Sequence, residues 1–453
     1  MSVHWGGKGP GHVSRWPRGV GAMSPYSGAT MLLDFLNPVL DPRITFSRGT
    51  GATRVNQSGF IETVGNTTPR FDYDPVTLAP RGLLIEEART NLLTYSDDWS
   101  NAAWVKSTIT VTANATVAPD GTTTADLLTQ GGGGTAHSVT QTFTGTAAAY
   151  TFTTYVKKGT RRFAVLALTP SAAPNIADYA WFDLDTGARG SMGANLTASS
   201  ITPAGSGWFR ISVTKTLTAV SQFALITHSD ADNNLSSSAA GATFVWGAQL
   251  EAGSFATSYI PTVASTVTRN ADVATMTGTN FSSWYNQSAG TFVIGLTPRG
   301  VPTGGANIRF LEVNDGTATS RNPLMFASAV GAAFTQYRVA GADQANLGSS
   351  TSYYAANSTI AIGAAYATND FATSFSGGAV QTDASGSVVT NASELDIGYA
   401  RSGAGTEIFC GHIRTIAYFN TRLPNAQLQT LTAPSLATTL SLDFTTGSYN
   451  VGF

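Results

Sequence analysis

The chain has 453 residues and a formal net charge of −2, and only 11% of its residues are charged. Because its lysines and arginines are scattered, they form no basic stripe that could bind nucleic acid, and no partner of that class is expected. The sequence has no run of about eighteen apolar residues, so no insertion into a membrane is expected. Its 47 glycines and its 10% aromatic content favour rigid β-rich domains, two or three at this length, over disorder.

Residues 1–36 are rich in glycine and proline, and their first acidic residue is Asp34. No regular element is predicted there, and a disordered terminus is one interpretation. The other is a basic docking arm that becomes ordered against another protein, because aromatic side chains are common interface anchors. The side chains that would dock are Trp5, Arg15, Trp16, Arg18 and Tyr26.

Residues 37–90 alternate turn formers with short apolar pieces, which predicts clipped strands joined by tight turns in a compact β-rich module. The order ITFSR, NQSGFIETV and PRFDYDPVTLAPRGLLIEEARTNLL closely resembles a segment that recurs in tailed-phage virion proteins. The resemblance spans Asp41 to Trp99 and is strongest to proteins called phage head-spike fibre or tail-fibre domain proteins. It implies a component of a virus particle.

Residues 91–265 show period-two strands separated by turns, the pattern of a β-sandwich in which one face of each strand enters the core. The pieces WFDLDTGARG, GSGWFRISVT and FVWGAQLEAGSFATSYIPT resemble the carbohydrate-binding-module-like jelly rolls of phage fibres. This resemblance implies a jelly-roll fold and a carbohydrate ligand. The predicted strands are 150–157, 163–168, 180–184, 208–216, 223–227 and 243–250.

A polar stretch over 261–276 is predicted to connect to a second sandwich over 266–433. The final part of that sandwich, GHIRTIAYFNTRLPNAQLQTL, resembles the last strand and short helix of concanavalin A-like, laminin-G-like domains, with Pro424 in the first helical turn. Residues 434–453 return to a strand pattern. The predicted fold class is therefore all-β, with two tandem β-sandwiches (jelly-roll and concanavalin A-like) preceded by a short β-rich module and an irregular N-terminal arm.

Motifs for catalysis are missing from the sequence. Retaining glucanases of concanavalin-like fold commonly use Glu-x-Asp-x-x-Glu, and no such motif occurs. The adjacent Glu86 and Glu87 would point to opposite faces of an extended chain, where pairing with Arg81 or Arg89 is the simpler role. Neither a Gly-x-Ser-x-Gly elbow nor a zinc-ligand pair is present, and Cys410 is predicted to be a buried thiol. An inverting pair of distant aspartates stays open, but the sequence predicts no enzyme.

Sugar recognition depends on aromatic rings that stack on pyranose faces and on polar groups that bind hydroxyls. The candidate stacking residues are Trp99, Trp104, Tyr179, Trp181 and Trp208, although each also fits a hydrophobic core. The turn SDADNN supplies polar partners and places oxygens at alternate positions. Asp230, Asp232 and Asn234 are therefore candidate calcium ligands, with an ordinary solvated turn as the alternative. No other cofactor is expected.

The expected function is that of a structural spike, fibre or decoration protein of a tailed phage or phage-like particle, which binds a host surface polysaccharide as an adhesin. A purely architectural capsid, tail or baseplate component and a capsule depolymerase are the alternatives. Other virion proteins, reached through the N-terminal arm, are the expected partners, and a homo-oligomer, with a trimer favoured, is expected. The N-terminus lacks the apolar core of a signal peptide, so synthesis in the host cytoplasm and a place on the virion surface are expected.

Overall fold

The computed structural model of the protein describes residues 25–131, 137–218, 221–235, 240–300, 307–328, 331–352, 354–399 and 407–434. Regular structure in these ranges is nearly all β-strand, which confirms the predicted all-β class. The helices are short: a 3₁₀ turn at Ile176–Asp178, α1 at Thr279–Ser282 and α2 at Asn425–Leu431. No helix in the described ranges is long and apolar enough to cross a membrane.

The strands fall into three groups along the chain. The first group is β1 Met31–Asp34, β2 Thr45–Ser47, β3 Ala52–Val55, β4 Ile61–Val64, β5 Arg70–Tyr73, β6 Pro80–Ile85 and β7 Arg89–Asn91. The second group is β8 Val105–Ser107, β9 Ile109–Thr116, β10 Ala125–Gln130, β11 Ser138–Thr144, β12 Ala149–Lys158, β13 Phe163–Pro170, β14 Tyr179–Asp183, β15 Ala188–Met192, β16 Ala198–Pro203, β17 Trp208–Thr216, β18 Ser221–Ser229 and β19 Gly241–Ala252. The third group is β20 Val267–Arg269, β21 Val273–Thr277, β22 Ala289–Pro298, β23 Ile308–Asn314, β24 Arg321–Ala327, β25 Ala332–Val339, β26 Ala342–Ser352, β27 Ile360–Ala367, β28 Asp370–Phe375, β29 Gln381–Asp383, β30 Glu394–Ile397 and β31 Gly411–Phe419.

The second group forms the first sandwich, whose two sheets have the strand orders β16-β17-β12-β19-β10-β9 and β15-β14-β13-β18-β11-β8. All pairings within these sheets are antiparallel. Side chains alternate between the two faces of each strand, so Ala164, Leu166 and Leu168 of β13 enter the core between the sheets, together with Phe152 and Val156 of β12. Each sheet is thereby left with one outer face.

The second sandwich takes strands from both ends of the described chain. One sheet has the order β29-β28-β27-β22-β31-β6-β5, with β1 also paired to β31, and the other has the order β2-β21-β30-β23-β24-β25-β26. Met31 lies opposite Tyr418, and Leu83 lies opposite Ile413. The domain boundaries at 36, 90, 265 and 433 stay predictions. The pairing adds that the segment resembling phage virion proteins contributes strands to both sheets of the second sandwich.

A short two-stranded ribbon connects the two sandwiches. In it β7 pairs antiparallel with β20, with Arg89 opposite Arg269 and Asn91 opposite Val267. The first sandwich is therefore inserted between β6 and β21, and its entry and exit lie side by side. The Asn91 side chain holds this neck to the sandwich, because its amide donates to the carbonyls of Ala248 at 3.0 Å and Ile260 at 2.9 Å.

The period-two pattern located six strands of the first sandwich well but missed others with a buried face, such as β10 and β11. The strand predicted at 208–216 is observed as β17 with the same bounds, and the others named for the first sandwich lie within about two residues of their observed ends. The predicted last strand and short helix are observed as β31 and α2, with Pro424 at the residue before the helix. Cys410 is buried, as predicted.

The prediction that residues 1–36 contain no regular element is wrong at Met31–Asp34, which forms β1 because its residues pair with β31. The docking residues predicted in this arm meet different outcomes. Trp5, Arg15, Trp16 and Arg18 lie outside the described residues. Tyr26 is 4% exposed and packs with Val293 and Phe419 of the second sandwich, so its ring is not on the surface of this chain. The prediction that Tyr26 is a docking anchor is therefore wrong, because its ring is already buried within its own chain.

One outer face of the first sandwich is covered by the segment that precedes it. Trp208, Tyr155 and Trp246 form a buried cluster with Tyr259 on the sheet that begins with β16, and Ile61 packs against this cluster. The amide of Ile61 donates to the carbonyl of Pro119 at 3.0 Å. This face is therefore the junction between the first sandwich and the β3–β4 hairpin.

A buried charge network lies beside this junction, and Glu86 is at its centre. The side chain of Glu86 is fully buried, and its Oε2 accepts hydrogen bonds from Arg70 Nη1 at 2.7 Å and from Ser258 Oγ at 2.6 Å. Arg269 Nη1 and Arg299 Nη1 each lie 2.9 Å from a carboxylate oxygen of Glu86. Three guanidinium groups from separate parts of the chain thus converge on one carboxylate.

Asp272 extends the network on the side of the second sandwich. It accepts a hydrogen bond from Arg48 Nη1 at 2.9 Å and another from the guanidinium of Arg70, and all three of these side chains are fully buried. Nearby, Asp72 Oδ2 lies 2.8 Å from His412 Nε2. Burial raises and the neighbouring arginines lower the pKa of Glu86, with the result that it lies well below its ordinary value and the carboxylate stays charged.

Removal of the Glu86 carboxylate should destabilise the whole junction. Glu86→Ala leaves the guanidinium groups of Arg70 and Arg269 buried without this counter-charge, and we expect the free energy of unfolding to fall by about 3–5 kcal/mol. Urea denaturation of the full chain measures this loss. The matched control is Glu62→Ala, which removes a half-buried pair with Arg54 and should cost about 1 kcal/mol or less. Equal losses in the two variants would contradict a central role for the network.

Candidate functional site

The second outer face of the first sandwich carries a groove of about 400 Å³. It lies on the sheet β15-β14-β13-β18-β11-β8, on the opposite side of the sandwich from the junction. Its volume falls within the range of about 300–1,000 Å³ that is usual for ligand sites. The groove is lined by Val105, Ser107, His137, Ser138, Thr140, Pro174, Tyr179, Phe223, Leu225, Thr227 and Leu235.

Strand alternation places these side chains on the outer face. On β18, Ala224 and Ile226 enter the core, and the residues between and beside them therefore point outward. Phe223, Leu225 and Thr227 are those outward residues, and they form the floor of the groove. The neighbouring strands β11 and β8 add hydroxyl groups and the side chain of Val105, which is 61% exposed.

The groove combines an apolar floor with neutral polar groups. Phe223 and Leu225 supply apolar surface, while Ser138 and Thr140 supply hydroxyl groups that can both donate and accept hydrogen bonds. The phenol of Tyr179 stays neutral, because burial, with a smaller effect of Asp178, raises its pKa to about 12. Such a surface can bind a ligand that has apolar faces and many hydroxyl groups.

The structure brings together two sets of residues that the sequence analysis named separately. Tyr179 and Trp181 lie on β14, and the indole nitrogen of Trp181 donates to the carbonyl of Asn234 at 3.0 Å. Trp181 is only 1% exposed, whereas Tyr179 lines the groove at 6% exposure. Of this pair, Tyr179 can contact a ligand and Trp181 supports the loop that carries Asn234.

The carboxylates of that loop have partners on two different elements. Asp230 forms an ion pair with Arg161, and Asp232 accepts hydrogen bonds from the amide and the hydroxyl of Ser191, each at 2.8 Å. Calcium at Asp230, Asp232 and Asn234 stays a prediction, and it would require both carboxylates to leave these contacts. Within the described ranges, no group of three or more His, Cys, Asp or Glu side chains is placed to hold a metal ion.

The remaining candidate stacking residues are buried and cannot form a platform on this surface. Trp99 and Trp104 stack on each other in the core, with ring centroids 4.1 Å apart. Trp208 belongs to the cluster at the junction, and its indole nitrogen donates to the carbonyl of Val117 at 3.1 Å. All three tryptophans are therefore buried packing residues, which was the alternative to sugar stacking, because no face of any of their rings is accessible to a sugar.

Two buried histidines lie next to the groove. His137 lines it, and its ring centroid is 5.6 Å from that of His228, which is fully buried. Neither ring nitrogen of His228 has a hydrogen-bond partner in the described part of the chain. Burial lowers the pKa of His228 to about 3, and His137 and Arg161 contribute further lowering, so the imidazole is neutral in the folded protein.

The adjacent carboxylates that the sequence analysis considered for hydrolysis have structural partners in the described part of the chain. Glu86 belongs to the charge network, whereas Glu87 Oε1 accepts a hydrogen bond from Arg89 Nε at 2.8 Å. The two adjacent side chains thus have different partners, as expected if they point to opposite faces. A pair that the sequence analysis missed, Glu312 and Asp396, faces across β23 and β30. Both are fully buried, and neither lines the groove.

The groove itself was missed from the sequence, since its lining has no chemical signature. Phe223 and Leu225 were assigned only to a strand, although their alternation with Ala224 and Ile226 could have placed them on an outer face. What the pattern could not show is that, among the described residues, this face carries a groove whereas the face at the junction is covered. That distinction depends on contacts with a distant part of the chain.

Comparisons with known proteins give weak similarities only. No protein-family model and no curated protein matches the chain. Among solved structures, the carbohydrate-binding module CBM40 of a Ruminococcus gnavus IT-sialidase, bound to α2,3-sialyllactose, has 16% identity and a TM-score of 0.30, covering 34% of this chain and 87% of its own. The Streptococcus pneumoniae NanB sialidase has 10% identity and a TM-score of 0.30, covering 35% and 26%. A pentraxin from Limulus polyphemus has 12% identity and a TM-score of 0.25, covering 32% and 69%. Scores this low carry no inference about the ligand of this chain.

The buried His228 should make the protein less stable in mild acid. Between pH 3 and pH 6.5 the unfolded chain binds a proton at this residue and the folded chain does not, so stability falls as the pH falls. At pH 5 we expect this residue to cost about 2 kcal/mol relative to pH 7.5. In denaturation at both pH values, His228→Leu should lose that much less stability on acidification than the unaltered chain. An unchanged difference between the two pH values would contradict the proposed burial of a neutral imidazole.

Proposed function

We propose that this protein is a glycan-binding subunit on the surface of a tailed phage or phage-like particle, where it serves as an adhesin for a host polysaccharide. The groove on the first sandwich is the observation that carries the proposal. It has the size of a ligand site, an apolar floor with Phe223 and Tyr179, and hydroxyl groups at its margin. Pyranose rings offer an apolar face and a rim of hydroxyl groups, which match these two kinds of surface.

The arrangement of the two outer faces supports this function. One face of the first sandwich is covered at the junction by Ile61 and its hairpin, whereas the groove lies on the other face. A sandwich that is held by one face and carries a groove on the other is suited to display. The resemblance of residues 41–99 to phage spike and fibre proteins supports the proposed place on a virion, with other virion proteins and further copies of the chain, as a trimer, for partners.

A purely architectural role is the second candidate, and one surface favours it. Several apolar side chains near the β3–β4 hairpin are exposed, namely Phe60 at 38%, Leu78 at 46% and Val76 at 56%. Exposed apolar side chains that cluster on a surface often mark contacts with another protein. This surface belongs to the segment that resembles virion proteins, so it supports attachment to a particle and is compatible with glycan binding at the groove.

Capsule depolymerisation is the least supported of the three functions. A glycosidase needs two carboxyl groups on opposite sides of the scissile bond, about 5 to 9.5 Å apart. The groove is lined by no carboxylate among the described residues. We therefore propose binding without hydrolysis, and an assay for shortening of purified host polysaccharide addresses this point separately.

Truncation of the aromatic floor of the groove should weaken glycan binding. We expect Phe223→Ala to lower the affinity of the full chain for its glycan about tenfold, because a stacking contact worth about 1.4 kcal/mol is lost. A glycan array identifies the ligand, and isothermal titration calorimetry measures its affinity. Phe60→Ala is the matched control, because it removes a partly exposed phenylalanine outside the groove. Equal affinities for the two variants would count against the groove, and binding to no glycan would count against the function.

A further inference from the structure

We infer that the groove selects neutral glycans and rejects those that carry carboxylate or sulfate groups, an inference that rests on the proposed function. The first observation is the lining itself, in which the described residues include no Asp, Glu, Lys or Arg. An acidic sugar would leave water for a partly apolar groove without meeting a lysine or an arginine among the described lining residues. Loss of hydration without a counter-charge is costly, whereas a neutral sugar replaces its water with hydrogen bonds.

The cation nearest to the groove in sequence is directed away from it. Lys106 lies on β8 between the lining residues Val105 and Ser107, so alternation places its side chain on the other face. Its Nζ donates to the carbonyl of Ser100 at 2.8 Å and also to that of Asn101. This ammonium group is therefore already bound and does not face a ligand.

The charges beside Tyr179 and behind His137 are also compensated within the chain. Asp178, whose side chain is 1% exposed, lies 2.6 Å from the ammonium group of Lys215 and accepts a hydrogen bond from Thr169. Arg161 is paired with Asp230. Residues 132–136 and 236–239, which adjoin His137 and Leu235 in the sequence, are GGGTA and SSSA and contain no charged residue.

The polar groups that do line the groove suit neutral hydroxyl groups. Ser138 and Thr140 lie side by side on the outer face of β11, and the described part of the chain provides no hydrogen-bond partner for either hydroxyl. The phenol of Tyr179 is uncharged at neutral pH. A hydroxyl group can donate or accept a hydrogen bond, so these groups do not by themselves discriminate between neutral and acidic sugars. The selectivity for neutral sugars arises from the absence of lysine and arginine in the described lining and from the apolar floor.

Matched pairs of probes test this selectivity with the full chain. Chitohexaose with a hyaluronan hexasaccharide, lactose with 3′-sialyllactose, and galactan with polygalacturonate each compare a neutral glycan with an acidic one. We expect binding to at least one neutral member and at least about tenfold weaker binding to its acidic counterpart, with Phe223→Ala abolishing the preference. Ser107→Lys, which places a cation at the exposed margin, should raise the affinity for the acidic member at least about threefold, and Ser107→Thr is its control.

The outcomes separate the two proposals. Equal or tighter binding of acidic members, lost in Phe223→Ala, would overturn the neutral selectivity and leave glycan binding at the groove intact. An unaltered affinity for acidic members in Ser107→Lys would also overturn it, because the groove margin would then not touch the ligand. Binding to neither kind of glycan, in these pairs and across the array, would overturn the proposed function together with this inference.

Discussion

The negative charge of a buried carboxylate must be balanced by cationic groups of the same chain. At Glu86 this requirement brings together the three parts of the chain that meet at the junction. Arg70 comes from the segment before the first sandwich, Arg269 from the strand after it, and Arg299 from the second sandwich. Ser258, which follows the last strand of the first sandwich, binds the same carboxylate. The junction is therefore specified by charge compensation, and its geometry is less tolerant than that of an apolar contact, which can repack.

This constraint explains why one outer face of the first sandwich is covered at the junction while the other carries the groove. The aromatic cluster of Trp208, Trp246 and Tyr259 lies on the face that the junction covers, and it is as buried as the core. The opposite face keeps a groove with a partly exposed Phe223. Aromatic content alone would have favoured the first face as the ligand site, yet that face packs against the hairpin and the groove lies on the less aromatic face.

The sequence predicted what depends on local alternation and failed where distant parts of the chain meet. The bounds of β17 followed from periodicity, and the order of β31 and α2 followed from the resemblance to concanavalin A-like domains, with Pro424 as a helix signal. Burial of Trp99 and Trp104 depends on a mutual stack that no local pattern reveals. Likewise, the partners of Glu86 lie far apart in sequence, and adjacency to Glu87 was the only visible signal. Whether a sheet face carries a groove depends on which other segments pack against that face, and this is a property of the assembled fold.

The insertion of one sandwich within the other also orders events during synthesis. Strands β1, β5 and β6 are made before the inserted sandwich, whereas β31, to which β1 and β6 pair, is made after it. The inserted sandwich has all its strands in one continuous stretch and can close meanwhile. Until β31 arrives, the apolar Leu83, Leu84 and Ile85 of β6 remain without their final cover. Such late pairing is slow and leaves unpaired strand edges exposed, so the nascent chain is vulnerable to aggregation until β31 has been made.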